Sequence, residues 1–149
     1  MKSSFLTLIL IIFQLSYFTS GEYVSNQDDS RIETNQMKIT IGSTIFTATL
    51  LDNETVTAFK EMLPITLDMN ELNGNEKYAR LSSNLPTNAQ NPGTIHAGDL
   101  MLWGSNTFVL FYETLSTSYN YTRIGRIENS SGLADAVGLG SVAVTFELE

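Results

Sequence analysis

The sequence predicts a mainly β fold, a closed eight-stranded barrel with two capping α-helices. About eight short segments alternate apolar and polar residues with the period of two that is typical of strands. Only two segments carry the spacing of a helix face, and they do not alternate regularly with the strands. A set of mostly antiparallel strands exposes its edges unless the sheet closes on itself, so a barrel is favoured.

A hairpin opens the patterned part of the chain. Met37, Ile39 and Ile41 share one face of the first strand. Gly42 followed by Ser43 suits a two-residue type II′ turn into the second strand. The sixth predicted strand is apolar at successive positions, which predicts that both of its faces are buried. The eight strands are predicted at 37–41, 44–51, 65–72, 77–81, 99–103, 107–112, 121–127 and 141–149.

Two helices are predicted between the strands. The first, at 54–63, places Val56 and Phe59 on one face, follows an Asp-Asn pair that can cap it, and ends at Pro64. The second, at 131–138, is short, begins with a Ser and ends with a Gly. Both helices therefore have one apolar face to lay against the barrel.

Three local features are predicted in the second half of the domain. Residues 82–98 are rich in Pro, Gly, Asn and Gln and are interpreted as one long loop. Gly125 interrupts its strand and indicates a bulge. Trp103, the only tryptophan, is expected in the core.

The N-terminal segment is typical of an export signal. Lys2 precedes an apolar run, and small residues near Gly21 suit cleavage there. We therefore predict a signal peptide at 1–21, a flexible acidic linker at 22–36 and a folded domain at 37–149, with an extracytoplasmic location, periplasmic or secreted. The alternative is an uncleaved anchor, although the run is shorter than the ~20 residues that span a bilayer.

Composition limits the partners of the mature chain. The full sequence has a net charge of −8, which becomes −9 when Lys2 leaves with the signal peptide, and so acidic a chain repels nucleic-acid phosphates and anionic membranes. No stable membrane insertion is expected after signal cleavage. The sequence has no cysteine and only one histidine, His96, so no metal site and no cofactor are predicted. The protein is expected to be a monomer.

Three stretches of the sequence resemble the cyclophilin-like domain proteins, a bacterial branch of the cyclophilin-like superfamily. They are "LPITLDMNELNGNEKYARL", "LPTNAQNPGTIHAGDLMLWGSNTFVLFYETLSTSYNYTRIGRI" and "GLADAVGLGSVAVTFE". With the first hairpin they span residues 37–148. The resemblance implies a cyclophilin-like barrel, but a fold does not by itself imply an activity.

The resemblance also implies one catalytic candidate. Cyclophilins catalyse prolyl cis–trans isomerisation with an Arg that lies in an aromatic-His-Arg-aliphatic stretch, and that Arg stabilises the twisted amide. The stretch "YARL" is similar and places Arg80 at that position. Arg80 is therefore the expected catalytic residue only if the protein is an isomerase. The alternative is a strand Arg that faces solvent.

The pocket that the resemblance implies is altered. "TFVLFYET" resembles the cyclophilin strand that lines the proline pocket, which implies ligand contacts for Phe108, Val109 and Tyr112. The next loop departs from the family pattern, because Tyr119 and Tyr121 stand where cyclophilins have a Trp-Leu pair and a His. Tyr121 is nearest to the His position.

Tyr119, Tyr121 and Arg123 are spaced two apart and share a face if this segment is extended. If that face borders the groove, two amphipathic rings and a cation form one wall of a ligand site. If it faces outward, they are ordinary cross-strand neighbours. The function we expect is non-catalytic binding of a peptide or small ligand. The alternatives are a weak peptidyl-prolyl isomerase and, less favoured, a carbohydrate-binding barrel.

Overall fold

The computed structural model describes residues 34–149, a range with ten strands and two helices. The predicted signal peptide and most of the predicted linker lie outside the described residues. Within 34–149, no helix is long and apolar enough to cross a membrane. The elements are β1 (Gln36–Ile41), β2 (Thr44–Leu50), α1 (Glu54–Lys60), β3 (Ile65–Leu72), β4 (Glu76–Arg80), β5 (Thr94–Ile95), β6 (Asp99–Trp103), β7 (Thr107–Phe111), β8 (Leu115–Ser116), β9 (Thr122–Ile127), α2 (Leu133–Val137) and β10 (Val142–Leu148).

Eight strands close into a barrel, as the sequence predicts. The order around it is β1-β10-β3-β4-β7-β6-β9-β2, and every neighbouring pair is antiparallel. The eight predicted strands are these eight, with no end displaced by more than one residue. The remaining pair, β5 and β8, forms a small separate sheet. β5 lies inside the region predicted as a loop, because a strand of two residues shows no sequence period.

The barrel interior is one apolar core to which both helices contribute. Asn53 caps α1 by accepting the Val56 backbone N–H at 2.9 Å. The Phe59 ring of α1 then stacks on Phe108 at 5.0 Å, and Phe146 of β10 packs edge-on against Phe108. Because α1 is short, it is stabilised mainly by the packing of its buried face against the barrel.

β7 is buried on both faces, which explains its continuous apolar run. Phe108 and Leu110 point into the barrel, whereas Val109 and Phe111 pack on the outside in a second cluster. Ile95 of β5 covers that outer cluster. The small sheet therefore gives the barrel wall a second apolar layer at this place, and it also forms one side of the cavity described below.

A β-bulge in β9 sits at Gly125. Leu100 pairs with Gly125 and Met101 pairs with Arg123, so Ile124 is the extra residue. A Cβ on Gly125 would lie 2.4 Å from the Thr49 carbonyl oxygen. Glycine is therefore required for close backbone approach, where β9 meets β2 and the barrel closes.

Candidate ligand-binding cavity

The outer faces of β4, β7 and β6 form the floor of a cavity. Side chains of a strand alternate between faces, so Tyr78 and Arg80 of β4 point outward while Ala79 points into the core. The strand register places Tyr78 opposite Val109, and it places Arg80 opposite Thr107. These residues form two adjacent rows on the outside of the barrel.

The segment that carries β8 forms the other wall. β8 pairs with β5, and the backbone of Tyr121 exchanges two hydrogen bonds with Gln90 at 2.9 and 3.0 Å. The segment is therefore fixed at both ends, where Leu115 and Tyr121 pack on the outer cluster of the barrel, and together with the wall it encloses a cavity of about 580 Å³. The volume lies in the range of small-ligand sites. The cavity is lined by Leu72, Asn73, Asn75, Glu76, Tyr78, Arg80, Trp103, Thr107, Val109, Leu115, Ser116, Thr117, Ser118, Tyr119 and Tyr121.

Four aromatic side chains face this cavity. Tyr121 is only 8% exposed and packs edge-on against Phe111 with ring centroids 5.6 Å apart. Trp103 and Tyr119 are 52% and 67% exposed, and Tyr78 is half-buried because it packs on the outer apolar cluster. Exposed aromatic rings beside a concave surface are typical of sites that take up apolar groups.

The two charged residues of the lining are both on β4. Arg80 is exposed, whereas Glu76 is buried, with 9% of its surface accessible. Burial, with a smaller contribution from the neighbouring charge of Glu71, raises the pKa of Glu76. Burial likewise raises the pKa of Tyr121, to which the nearby Glu76 charge adds. The cavity thus has an acidic end and a basic end.

The structure brings four of the predicted site residues into this cavity: Arg80, Val109, Tyr119 and Tyr121. Arg123 is elsewhere, in a smaller depression of about 280 Å³ that it shares with Tyr121 and several amide side chains. Tyr121 thus separates the two depressions. The continuous face expected for Tyr119, Tyr121 and Arg123 is interrupted because β9 begins only at Thr122.

The two remaining predicted ligand residues do not line the cavity. Phe108 is fully buried inside the barrel, and its neighbour Val109 occupies the outer face instead. Tyr112 donates its hydroxyl hydrogen to Glu71 at 2.7 Å. Of the three residues that the resemblance implied in this stretch, only Val109 lines the cavity.

Glu71, Lys77 and Tyr112 form a polar network beside the cavity. The Lys77 ammonium group donates to Glu71 and to the carbonyls of Gly138 and Gly140, and lies 5.5 Å from the centre of the Tyr112 ring. Burial raises the pKa of Glu71, but hydrogen bonds from Lys77 and Tyr112 outweigh it and leave that pKa below its usual value. Burial and the bond to Glu71 raise the pKa of Tyr112 to about 12.

Sequence reasoning missed most of the lining, including Glu76, Tyr78 and Trp103. Trp103 was expected in the core, and it is instead half-exposed at the cavity rim because it ends β6 beside a turn. Glu76 and Tyr78 carried a signal in the sequence, since they are two and four positions before Arg80 and share its face.

His96 and Asp99 form a separate polar group that is structural. Asp99 is buried and accepts the His96 backbone N–H at 2.8 Å and the Arg126 Nε–H at 2.5 Å. The Arg126 guanidinium group also lies 3.2 Å from Nδ1 of His96. Across residues 34–149, no group of three or more acidic or histidine side chains is arranged to hold a metal ion.

A closed eight-stranded antiparallel barrel with two helices is the cyclophilin-like fold. The chain belongs to the Cyclophilin-like family, whose model matches residues 39–147. Among solved structures it resembles the solution structure of the hypothetical protein AF2241 from Archaeoglobus fulgidus. The two structures superpose with a TM-score of 0.53 and share 22% sequence identity, over 76% of this chain and 94% of that chain. At this identity the comparison shows a common fold alone. A search of the curated proteins gives no match.

Proposed function

We propose that this protein is an exported binding module whose cavity holds a short peptide or another small ligand without catalysing a reaction. The observation that supports binding most is the cavity of about 580 Å³ between the barrel wall and the segment at 115–121. Its apolar floor at Val109, its flanking aromatic rings and its two charged groups offer the mixture of contacts that small-ligand sites use.

The alternative is a weak prolyl isomerase, and Arg80 is the observation that favours it. Isomerisation needs an apolar grip on the proline ring and a donor near the amide nitrogen, but no general base. Arg80 is close to the rings of the cavity. It is also exposed to solvent, where its hydrogen bonds to a substrate compete with water. For that reason we place binding first.

Binding without catalysis can be measured on one sample. A blocked Ala-Pro tetrapeptide should change the fluorescence of Trp103, the only tryptophan, because that ring is half-exposed at the cavity rim. The Tyr119→Ala variant should bind about tenfold more weakly, since tyrosine is enriched among the few interface residues whose truncation costs more than 1 kcal/mol. Leu139→Ala, at an exposed apolar residue outside the lining, is the control.

In the same experiment, exchange NMR should find the cis–trans rate of the peptide unchanged by the protein. Acceleration that disappears in Arg80→Ala would establish the isomerase and exclude the non-catalytic proposal. A binding isotherm that is identical in Tyr119→Ala and in the unaltered protein would show that the cavity is not the binding site.

Export is the second part of the proposal, and its support is the apolar segment after Lys2. In a host with a secretory pathway, mass spectrometry should find the exported protein beginning at Glu22. Ile11→Arg, which puts a charge into the apolar run, should leave the chain uncleaved inside the cell, whereas Ile11→Leu should be exported normally. Recovery of the unaltered, full-length chain from the membrane fraction would favour the anchor instead.

A further inference from the structure

Two acceptor groups at one end of the cavity have no partner. Among the residues that the structure describes, no side chain or backbone group donates a hydrogen bond to the Glu76 carboxylate, and none forms an ion pair with it. The Oδ1 atom of Asn75 is also buried without a hydrogen bond in the described region. Both residues line the cavity. Buried polar groups are nearly always hydrogen-bonded, so a largely buried carboxylate that lines a cavity without a protein donor points to a ligand that donates to it.

The chemistry of these acceptors indicates which donor group the ligand carries. A carboxylate in the lining, preceded in the chain by a lining amide, suits a cation with several N–H groups, such as an ammonium or a guanidinium group. A bound Ca²⁺ ion is disfavoured, because it takes six to eight oxygen ligands. The nearest other carboxylate, that of Glu71, is engaged by Lys77 and Tyr112.

The position of Arg80 indicates the direction in which an extended peptide would lie in the cavity. It lies four residues after Glu76 on the same face of β4, which is about 13 Å along a strand at ~3.3 Å per residue. An extended peptide of about four residues covers that distance. Its free carboxylate, at the opposite end from the cation, is the natural partner for the Arg80 guanidinium group.

We propose that the cavity recognises a short extended peptide with a basic side chain, whose cationic group binds Asn75 and Glu76 and whose C-terminal carboxylate binds Arg80. This inference rests on the proposed binding function and names the class of ligand. The aromatic rings hold the middle of the peptide, while the charges at the two ends set its direction.

Charge recognition of this kind depends on pH. The groups that act on Glu76 are Glu71 of β3, Tyr112 after β7 and Tyr121 before β9, whereas Lys77 leaves β4 on its other face. The pKa of Glu71 is lowered and those of both tyrosines are raised, so none of the three changes charge between pH 5 and 8. Because the pKa of Glu76 is raised, its preference for a cation fades as the pH falls through that raised value.

The test uses matched peptides and calorimetry at neutral pH. The probe is acetyl-Lys-Ala-Pro-Phe with a free carboxylate, compared with the same peptide containing norleucine for lysine and with its C-terminal amide. The unaltered protein should prefer lysine over norleucine by about tenfold, the size of one charge-assisted contact. Glu76→Gln should remove that preference, and Glu61→Gln, on the exposed end of α1, should retain it.

Two further variants complete the design. Asn75→Ala should reduce the preference for lysine over norleucine without changing the preference for the free acid over the amide. Arg80→Gln should reduce the preference for the free acid and leave the lysine preference unchanged. If the lysine and norleucine peptides bind the unaltered protein equally, the charge inference is wrong, although the cavity still binds peptides. If none of the three peptides binds, the inference fails together with the peptide form of the proposed function.

Discussion

Replacement of Gly125 by alanine is expected to destabilise the protein by about 3 kcal/mol, the upper part of the range for overpacking. The added Cβ would stand 2.4 Å from the Thr49 carbonyl oxygen and 3.1 Å from the Cα of Leu50. Both are backbone atoms of β2 and cannot rotate away as a flexible side chain would. The two strands must therefore separate where the Leu51 N–H donates to the Ile124 carbonyl at 2.9 Å.

The matched control is Gly140→Ala. A Cβ at Gly140 meets nothing within 4 Å, and its backbone does not have a positive φ. Its effect should stay within about 0.5 kcal/mol, which is usual for a surface position. Thermal unfolding should place the Gly125→Ala midpoint on the order of 10 °C lower and leave that of Gly140→Ala nearly unchanged. Equal midpoints for the two variants would mean that β2 and β9 do not approach each other so closely.

The barrel was predictable because its strands are half-buried. In β3 and β10, inward Leu67, Met69, Val144 and Phe146 alternate with polar residues, and this alternation is the period of two in the sequence. β7 gave a different signal, since its continuous apolar run correctly predicted burial on both faces.

The cavity was less predictable because it depends on contacts between distant segments. The continuous apolar run of β7 hides which residues face inward, so the sequence alone could not distinguish Phe108 from Val109. The wall at 115–121 is held by two-residue strands and by the Gln90–Tyr121 bridge, neither of which has a sequence period. Propensity likewise favours a buried tryptophan, and the exposure of Trp103 follows only from its place at the end of β6.

Lys77→Met is the second substitution with a large expected effect, because Lys77 is a fully buried cation. No part of its side chain is accessible, and its three donors reach Glu71 and the carbonyls of Gly138 and Gly140, the latter two at 2.8 and 2.6 Å. These carbonyls follow α2, so the ammonium group ties the end of that helix to the barrel. Methionine fills the volume of the lysine stem but leaves all three acceptors without their donor.

Removing one partner of a buried ion pair costs about 3–5 kcal/mol. A value near 3 kcal/mol is expected here, because Glu71 is 26% exposed and keeps its hydrogen bond from Tyr112. Lys38→Met is the control, since the Lys38–Glu147 pair is exposed and such pairs contribute 1 kcal/mol or less. Urea unfolding measures both variants.

The double variant Lys77→Met/Glu71→Gln separates charge from packing. If the loss of stability comes from the Glu71 charge that no longer has its Lys77 partner, replacing that carboxylate should recover part of the stability that Lys77→Met removes. If the Gly138 and Gly140 carbonyls dominate, the double variant should be no more stable than Lys77→Met. A loss in Lys77→Met as small as that in Lys38→Met would contradict both explanations. It would mean that this buried ammonium group does not hold α2 against the barrel.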